Sequence, residues 1–336
     1  RLLMSTYRIL PLKFTAPVHF GDASGGGGLD AVQPVCRADT FFSALCSEAA
    51  RMGKQILNRL VQKVEKEEIA FSDLFPWYFR DGYYEWYIPK PVLSVMPKEV
   101  RAETLQKARD MSSFRKKSKK RSFLRASDLG LYMDDLRYGS ASLEDEPDWG
   151  AMLSAVHFNG RTRMPYSVGA YFFAPTAGLY VLIRMENPSD WEWLESLITI
   201  TGMTGIGGRK SSGMGSFIKA DDSILLSEKN DNADEVALSE FLKDRKTDCQ
   251  MALSVFLPTE DELEIAAAGA GLWIQRSGFT WSPGMEGPVK TKSIYMLSSG
   301  SCFAARLHGR MADVSTSGVK HPVFRYGKGL FLGVPK

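Results

Sequence analysis

Apolar and polar positions alternate over residues 7–14, which predicts a first strand. After the glycine-rich run His19-Phe20-Gly21-Asp22-Ala23-Ser24-Gly25-Gly26-Gly27-Gly28 the period becomes helical. Phe42, Leu45, Cys46, Ala49 and Met52 form one stripe, with Asp39 placed to cap the helix and Gly53 to end it. A second stretch, 54–68, carries Ile56, Leu57, Leu60, Val61 and Val64 at helical spacing. Tyr78-Phe79-Arg80-Asp81-Gly82-Tyr83-Tyr84 has the Asp-Gly signature of a hairpin, and core packing is the better reading of its aromatic flanks. From Pro97 to about Gly150 the periodicity is poor and charge is dense, which predicts an insertion and no core element. A strand is expected at 178–184. A helix then opens at Pro188, with Ser189 and Glu192 as a capping box and Trp191, Leu194, Leu197 and Ile198 as its buried face. A short strand at 216–220 follows.

Residues 221–248 are polar and acidic and read as a domain joint. Beyond them short strands are expected at 251–257, 272–279, 293–297, 302–307 and 329–334, with one weak helix at 260–268. The expectation is an α+β protein of two domains, 1–228 with an insertion at 97–150, and 245–336. A length of 336 residues suits two domains, and 44% hydrophobic and 24% charged residues are ordinary for a globular protein. No apolar run approaches the ~20 residues of a membrane span. The opening Arg1-Leu2-Leu3-Met4-Ser5-Thr6 is too soon polar for a secretory signal. The four cysteines (Cys36, Cys46, Cys249, Cys302) and the four histidines (His19, His157, His308, His321) show no metal-ligand spacing. A reducing, cytoplasmic setting without metal or other cofactor is expected.

The net charge of +3 conceals an asymmetry. Residues 112–125 hold Arg115, Lys116, Lys117, Lys119, Lys120, Arg121 and Arg125 with no acid, and the next stretch to Asp148 is acidic. From Lys290 onward the chain is basic again, opposed only by Asp313. Clustered cations attract polyanions, although a basic run alone reads equally well as a solvated insertion.

The strongest motif is Gly205, Ile206, Gly207, Gly208, Arg209, Lys210, Ser211, Ser212, Gly213, Met214 and Gly215, set between a helix and a strand. Its glycines permit positive φ and close approach, its N–H groups could cradle a phosphate, and Arg209 and Lys210 supply charge. A P-loop needs Gly-Lys-Ser/Thr running into a helix, and the dinucleotide fingerprint also opens a helix, so neither fits. His157-Phe158-Asn159-Gly160-Arg161-Thr162-Arg163 reads as a second RNA strip or, at equal odds, as a surface turn.

The glycine loop resembles that of the RAMP superfamily of CRISPR proteins. Val18-His19-Phe20-Gly21-Asp22, Arg37-Ala38-Asp39-Thr40-Phe41-Phe42-Ser43-Ala44-Leu45-Cys46, Gln275-Arg276-Ser277-Gly278-Phe279 and His321-Pro322-Val323-Phe324-Arg325-Tyr326-Gly327-Lys328 narrow the likeness. In that order they resemble the family of the fourth Csm subunit of type III-A effector complexes. The resemblance implies two ferredoxin-like (RRM-like) halves. It implies a subunit that grips the 5′ repeat-derived handle of the CRISPR RNA, with the large signalling/nuclease subunit, the backbone RAMP subunit and target RNA as partners. It carries the RNA-binding role onto the loop 205–215 and onto His19, Gly21, Arg37 and Asp39, beside the independently read Arg161 and Arg163.

No Gly-x-Ser-x-Gly nucleophile motif is present. RAMP relatives that process CRISPR RNA use a histidine, for which His19 is the candidate. Gly28-Leu29-Asp30-Ala31-Val32-Gln33-Pro34-Val35 resembles the loop in which backbone RAMP subunits keep a cutting aspartate. A lone loop histidine is more often a contact, and a lone carboxylate in a glycine loop more often belongs to a turn. The leading reading is therefore a non-catalytic RNA-binding subunit; the alternatives are an endoribonuclease using His19 or Asp30, and a pure assembly adaptor.

Overall fold

The computed structural model describes residues 5–21, 28–93, 105–138, 143–160, 162–282 and 285–335. The side chains of residues 105–108, 110, 111, 114 and 115 lie outside that description, as do Arg161, the glycine run 22–27 and residues 97–104 of the expected insertion. The helices, in chain order, are α1 (Ala38–Met52), α2 (Lys54–Glu65), α3 (Leu105–Lys120), α4 (Leu129–Tyr138), α5 (Trp191–Thr204), α6 (Ala233–Lys243) and α7 (Leu263–Ala268). None is long and apolar enough to cross a membrane.

A large antiparallel sheet organises the first two-thirds of the chain. Its strand Thr6–Phe14 lies between Ala177–Met185 on one side and Phe217–Lys219 on the other. Ala177–Met185 pairs onward with Ile69–Phe71 and Phe75–Arg80. The sheet then continues through Tyr83–Pro89 to Phe123–Arg125. Both faces are covered. Leu10 and Leu12 point into a core filled by Phe41, Phe42 and Leu45 of α1, Leu60 and Val64 of α2, and Leu194 and Ile198 of α5. Tyr7 and Ile9, one position out of phase, point into a second core with Trp77, Trp86, Leu129 and Met133. A strand sandwiched this way must be apolar on both faces, so the alternation in residues 7–14 is shallow.

The stretch 97–150 is not wholly an insertion, which corrects the expectation. Leu124, Ala126, Leu129, Tyr132 and Met133 are buried in the second core. The pattern was hidden because charges stand between these residues and find partners inside the fold: Arg125 reaches Asp234 at 3.3 Å and Glu85 at 3.7 Å. The opposed charge runs also meet each other. Lys117 pairs with Asp145 at 3.1 Å, Arg121 donates to the carbonyl of Glu144, and Glu146 accepts the Phe123 N–H at 2.7 Å.

The expected joint at 221–248 likewise contains a packed helix, α6, capped by Asn232 and burying Leu238 and Leu242. Its Asp234 looks solvent-facing in sequence but is buried, accepting the N–H groups of Trp86 and Ser127 at 3.0 Å each. Buried polar groups are tolerated when they are bonded in this way. The second half forms a three-stranded sheet, Cys302–Phe303, Gln250–Ala252 and Phe331–Gly333, with two-stranded ribbons around it. The helix and each expected strand have a counterpart there, but the strands at 251–257 and 302–307 shrink to Gln250–Ala252 and Cys302–Phe303, and Val289–Lys290, Ala312–Asp313 and Phe324–Arg325 were not expected.

Two caps differ from expectation. The α5 region is entered through Asn187, whose side chain accepts the Ser189 N–H, so Ser189 and Glu192 make no capping box. At α1 the N-cap is Arg37, and the Ala38 N–H is taken by Asp73 at 2.8 Å from another segment. Asp39 is freed for a different task. It is 1% exposed and accepts both Nε and Nη2 of Arg276 and Nη1 of Arg325, each at 2.9 Å. Arg37 in turn donates to Asp73, Ser298 and Ser299 at 2.9–3.0 Å. The Asp39 ion pairs and the Arg37 bonds to Ser298 and Ser299 bolt the start of α1 to the C-terminal half.

Candidate nucleic-acid interface

The loop 205–215 leaves α5 through Gly205 (φ 81°) and turns at Gly207 (φ 85°), Gly213 (φ 82°) and Gly215 (φ 83°). A Cβ on Gly215 would stand 2.0 Å from the Ile206 carbonyl oxygen, so that position admits only glycine. Ile206 is fully buried and pins the loop to the first core. The expected backbone cradle is largely occupied, which corrects that part of the reading. The N–H groups of Gly205, Ile206, Gly208, Ser212, Gly213, Met214 and Gly215 are donated within the protein, those of Gly208 and Gly215 to the carbonyls of His19 and Pro17 at 2.9 Å. What the loop presents outward is side chains: Lys210, Ser211 and Ser212 are exposed and Arg209 half-exposed.

Arg209 itself has left-handed backbone (φ 61°, ψ 23°), an uncommon state for a residue with a side chain. Lys210 sits in a positive neighbourhood. Crowding by protein atoms, then the like charge of Arg51, lower its ammonium from the ordinary value, with Glu48 opposing. Glu48 is already shared by Arg51 and Thr204 at 3.1 Å each. A phosphate at this spot would relieve the repulsion.

A feature missed in the sequence completes the surface. Strands Gly150–Phe158 and Pro165–Phe173 form a long two-stranded ribbon, register His157↔Tyr166, whose first strand is exposed nearly throughout. Its root is stitched to the segment before it by paired bonds between Val18 and Tyr171 at 2.9 Å. Gly169 ties the same place twice more, its N–H donated to Leu29 and its carbonyl 2.8 Å from His19 Nδ1. The loop, the segment 17–33 and the ribbon thus converge. The Arg209 guanidinium lies over the Tyr166 ring at 5.7 Å, and that ring stacks on His157 at 5.7 Å. Tyr166 carried no sequence signal, being one aromatic among many.

Most of the expected residues gather here, and two do not. The loop, His19 and Gly21 lie on one side of the junction and Arg163, exposed at the ribbon tip, on the other. Arg37 faces the C-terminal half through its hydrogen bonds to Ser298 and Ser299, and Asp39 through its ion pairs with Arg276 and Arg325, which seal it from any ligand. His19 is 8% exposed, beneath Gly208. Asp30 is exposed, in a turn closed by the Ala31 N–H on the Gly28 carbonyl at 3.1 Å. Among the described residues no group of three or more His, Cys, Asp or Glu is placed to hold a metal ion.

Residues 245–334 match the family model of the CRISPR Csm4 C-terminal domain. A Csm4 protein of Mycobacterium tuberculosis is 33% identical over 329 residues, covering 95% of each chain. One of Streptococcus thermophilus is 28% identical over 333 residues, covering 97% of this chain and 98% of the other. Among solved structures, one chain from a Csm3–Csm4 subcomplex of the type III-A interference complex aligns with a TM-score of 0.60 at 16% identity, covering 98% of this chain and 100% of that one. One from a Csm1–Csm4 cassette with pppApA aligns with 0.58 at 18% identity, covering 98% of each. Those two likenesses speak for the fold; the near-full-length sequence match speaks for descent, and the chain belongs to the Csm4 family of CRISPR Csm proteins.

Proposed function

We propose that this chain is the subunit of a type III-A Csm complex that holds the 5′ repeat-derived handle of the CRISPR RNA, without chemistry of its own. The observation that carries the reading is Arg209 over Tyr166. It makes the cationic loop and the exposed ribbon one continuous face, with Lys210 and the serines for phosphates and the His157–Tyr166 rings for bases. The left-handed backbone of Arg209 supports it, since strain of this kind persists where a side chain is wanted in one place. The partners proposed are the large signalling/nuclease subunit and the backbone subunit, because relatives of this fold were solved with Csm1 and with Csm3. A cytoplasmic setting goes with that assembly.

The buried position of His19, with Nδ1 on the Gly169 carbonyl, favours a structural histidine over a general base. Asp30, exposed beside the same junction, keeps the nuclease alternative open to test. Binding of a handle-containing RNA by the assembled complex should weaken in Arg209→Ala/Lys210→Ala, and the slope of log affinity against log salt should flatten by about 0.7 per lost contact. Equal affinity and slope would remove the loop from the RNA site. Asp30→Ala should leave every cleavage of target RNA intact; loss of one specific cut, with assembly preserved, would make this chain the nuclease for that cut.

A further inference from the structure

The C-terminal half carries an aromatic strip that the interface above does not use. Strand Trp273–Arg276 pairs with Ile294–Leu297, and Phe279–Thr280 with Val289–Lys290. The two pairings are one ribbon interrupted by a bulge. Arg276 faces Ile294 and Phe279 faces Lys290, so three steps on one strand match four on the other. Ile274 and Ile294 turn inward against the first core, and Arg276 reaches inward to Asp39. Alternation therefore turns Trp273 and Gln275 outward, and past the interruption Phe279 and Trp281 are exposed as well. Tyr295, opposite Gln275, shares that outer face.

Four large rings are thus held in solvent along one ribbon: Trp273 is 48% exposed, Tyr295 61%, Phe279 72% and Trp281 60%. No ring contact among the described residues involves any of them. Scattered exposed aromatics are unremarkable, but four within two successive strand pairs call for a partner. Charge selects which kind. Between Ala270 and Leu297 the only carboxylate is Glu286. Lys290 stands directly across from Phe279, and Lys320 is carried to the same end by His321, whose Nε2 lies 2.9 Å from Ser282 Oγ. Lys290 and Lys320 are exposed, and neither makes an ion pair among the described residues. Alternate residues on a strand stand about 6.6 Å apart, enough for one base per ring.

We infer that the outer face of this ribbon is a second RNA site, which takes single-stranded RNA by stacking bases on Trp273, Tyr295, Phe279 and Trp281 and phosphates on Lys290 and Lys320. Stacking of this kind tolerates any base. The site is separate from the loop 205–215 and does not depend on its role.

The full chain, titrated with a fluorescein-labelled decamer of uridine, tests it. Binding should quench tryptophan fluorescence. Phe279→Ala/Trp281→Ala should weaken affinity about tenfold or more, by the usual worth of a base stack. Lys290→Glu should weaken it with a smaller salt slope. These side chains are exposed, so the variants should keep the wild-type melting temperature, which certifies folding. Unchanged decamer affinity in Phe279→Ala/Trp281→Ala would overturn the inference. So would a defect confined to assembly with the other Csm proteins, which would make the strip a protein-docking face.

Discussion

Asp39 takes two parallel N–H donations from Arg276 at 2.9 Å each, across 237 residues of sequence. A bidentate pair between a fully buried carboxylate and a guanidinium fixes orientation as well as distance. Arg325 approaches the same carboxylate from a third direction at 2.9 Å. The first helix and the C-terminal half are therefore assembled around one negative charge.

Removing that charge should unfold the joint. Asp39→Asn keeps the shape but leaves two guanidinium groups facing an amide, and breaking a buried pair of this kind costs about 3–5 kcal/mol. Urea denaturation should show the loss. Any fall in RNA affinity should follow the fall in stability, because Asp39 cannot touch the ligand. A stable Asp39→Asn variant with lost RNA binding would contradict this placement.

The same carboxylate sets an acid limit. Burial alone would push its pKa up; Arg276 and Arg325 outweigh burial and hold it at about 2. An Asp in the unfolded chain titrates near 3.9. The folded value is the lower one, so the contribution is complete above about pH 5 and is lost as pH falls through 4 toward 2, roughly 3 kcal/mol in all. Thermal unfolding of the wild type between pH 5 and 2.5 should show this step, and Asp39→Asn should lack it.

How legible the fold was depended on how each face was buried. The stripes of α1, α2 and α5 were readable because each helix covers a single face of the sheet; only Met52, expected to end the α1 stripe, is exposed, at the last turn of that helix. The ribbon 150–173 was not, because Met152, Leu153 and Val156 are all exposed and no buried face imposed a period of two. The segment 123–138 was misread because charges that pair inside the fold look the same in sequence as charges in water. At the site, glycines and adjacent cations announced the loop, but nothing local announced that Tyr166 would meet it. Arg37 and Asp39 were visible as a motif, and their role was not, since their partners at Asp73, Ser298, Arg276 and Arg325 are remote in sequence.

Two glycines of the loop should differ in what they tolerate. Gly213 and Gly215 share a positive φ, near 82°. A Cβ at Gly213 meets open space, so Gly213→Ala should cost about 1 kcal/mol from backbone strain alone. At Gly215 the same Cβ would strike the Ile206 carbonyl, so Gly215→Ala should cost clearly more and should also disturb the bond to Pro17. Equal melting temperatures for the two variants would mean the loop is not packed as described.

Arg209 allows function to be separated from stability. Its left-handed backbone costs a non-glycine residue about 1–2 kcal/mol, while glycine there loses about 0.4–1 kcal/mol through the freer unfolded chain. Arg209→Gly should therefore fold as well as the wild type or slightly better, yet bind handle RNA more weakly with a shallower salt dependence. Arg209→Ala retains the strain and should be the less stable of the two. Differential scanning calorimetry and RNA titration across salt read both quantities.

Proteolysis should divide the charged stretch at one place. Lys116, Lys117, Lys119 and Lys120 of α3 are exposed and offer trypsin adjacent sites. The segment from Phe123 to Tyr138 is different: its backbone pairs with Tyr87–Pro89, and Leu124, Leu129 and Tyr132 are buried. Local opening is cheap where few apolar groups must be exposed and dear where several must. Limited trypsin digestion of the free chain should therefore cut within 116–120 first and spare Arg125, which is held by Asp234 and Glu85. Raising the salt should quicken the first cut, because the pair between Lys117 and Asp145 is exposed and screened. Bound guide RNA and neighbouring subunits should slow it if α3 is covered in the assembly. Early cleavage at Arg125, with 116–120 intact, would reverse the order of stability and show that residues 123–138 are the looser part of this region.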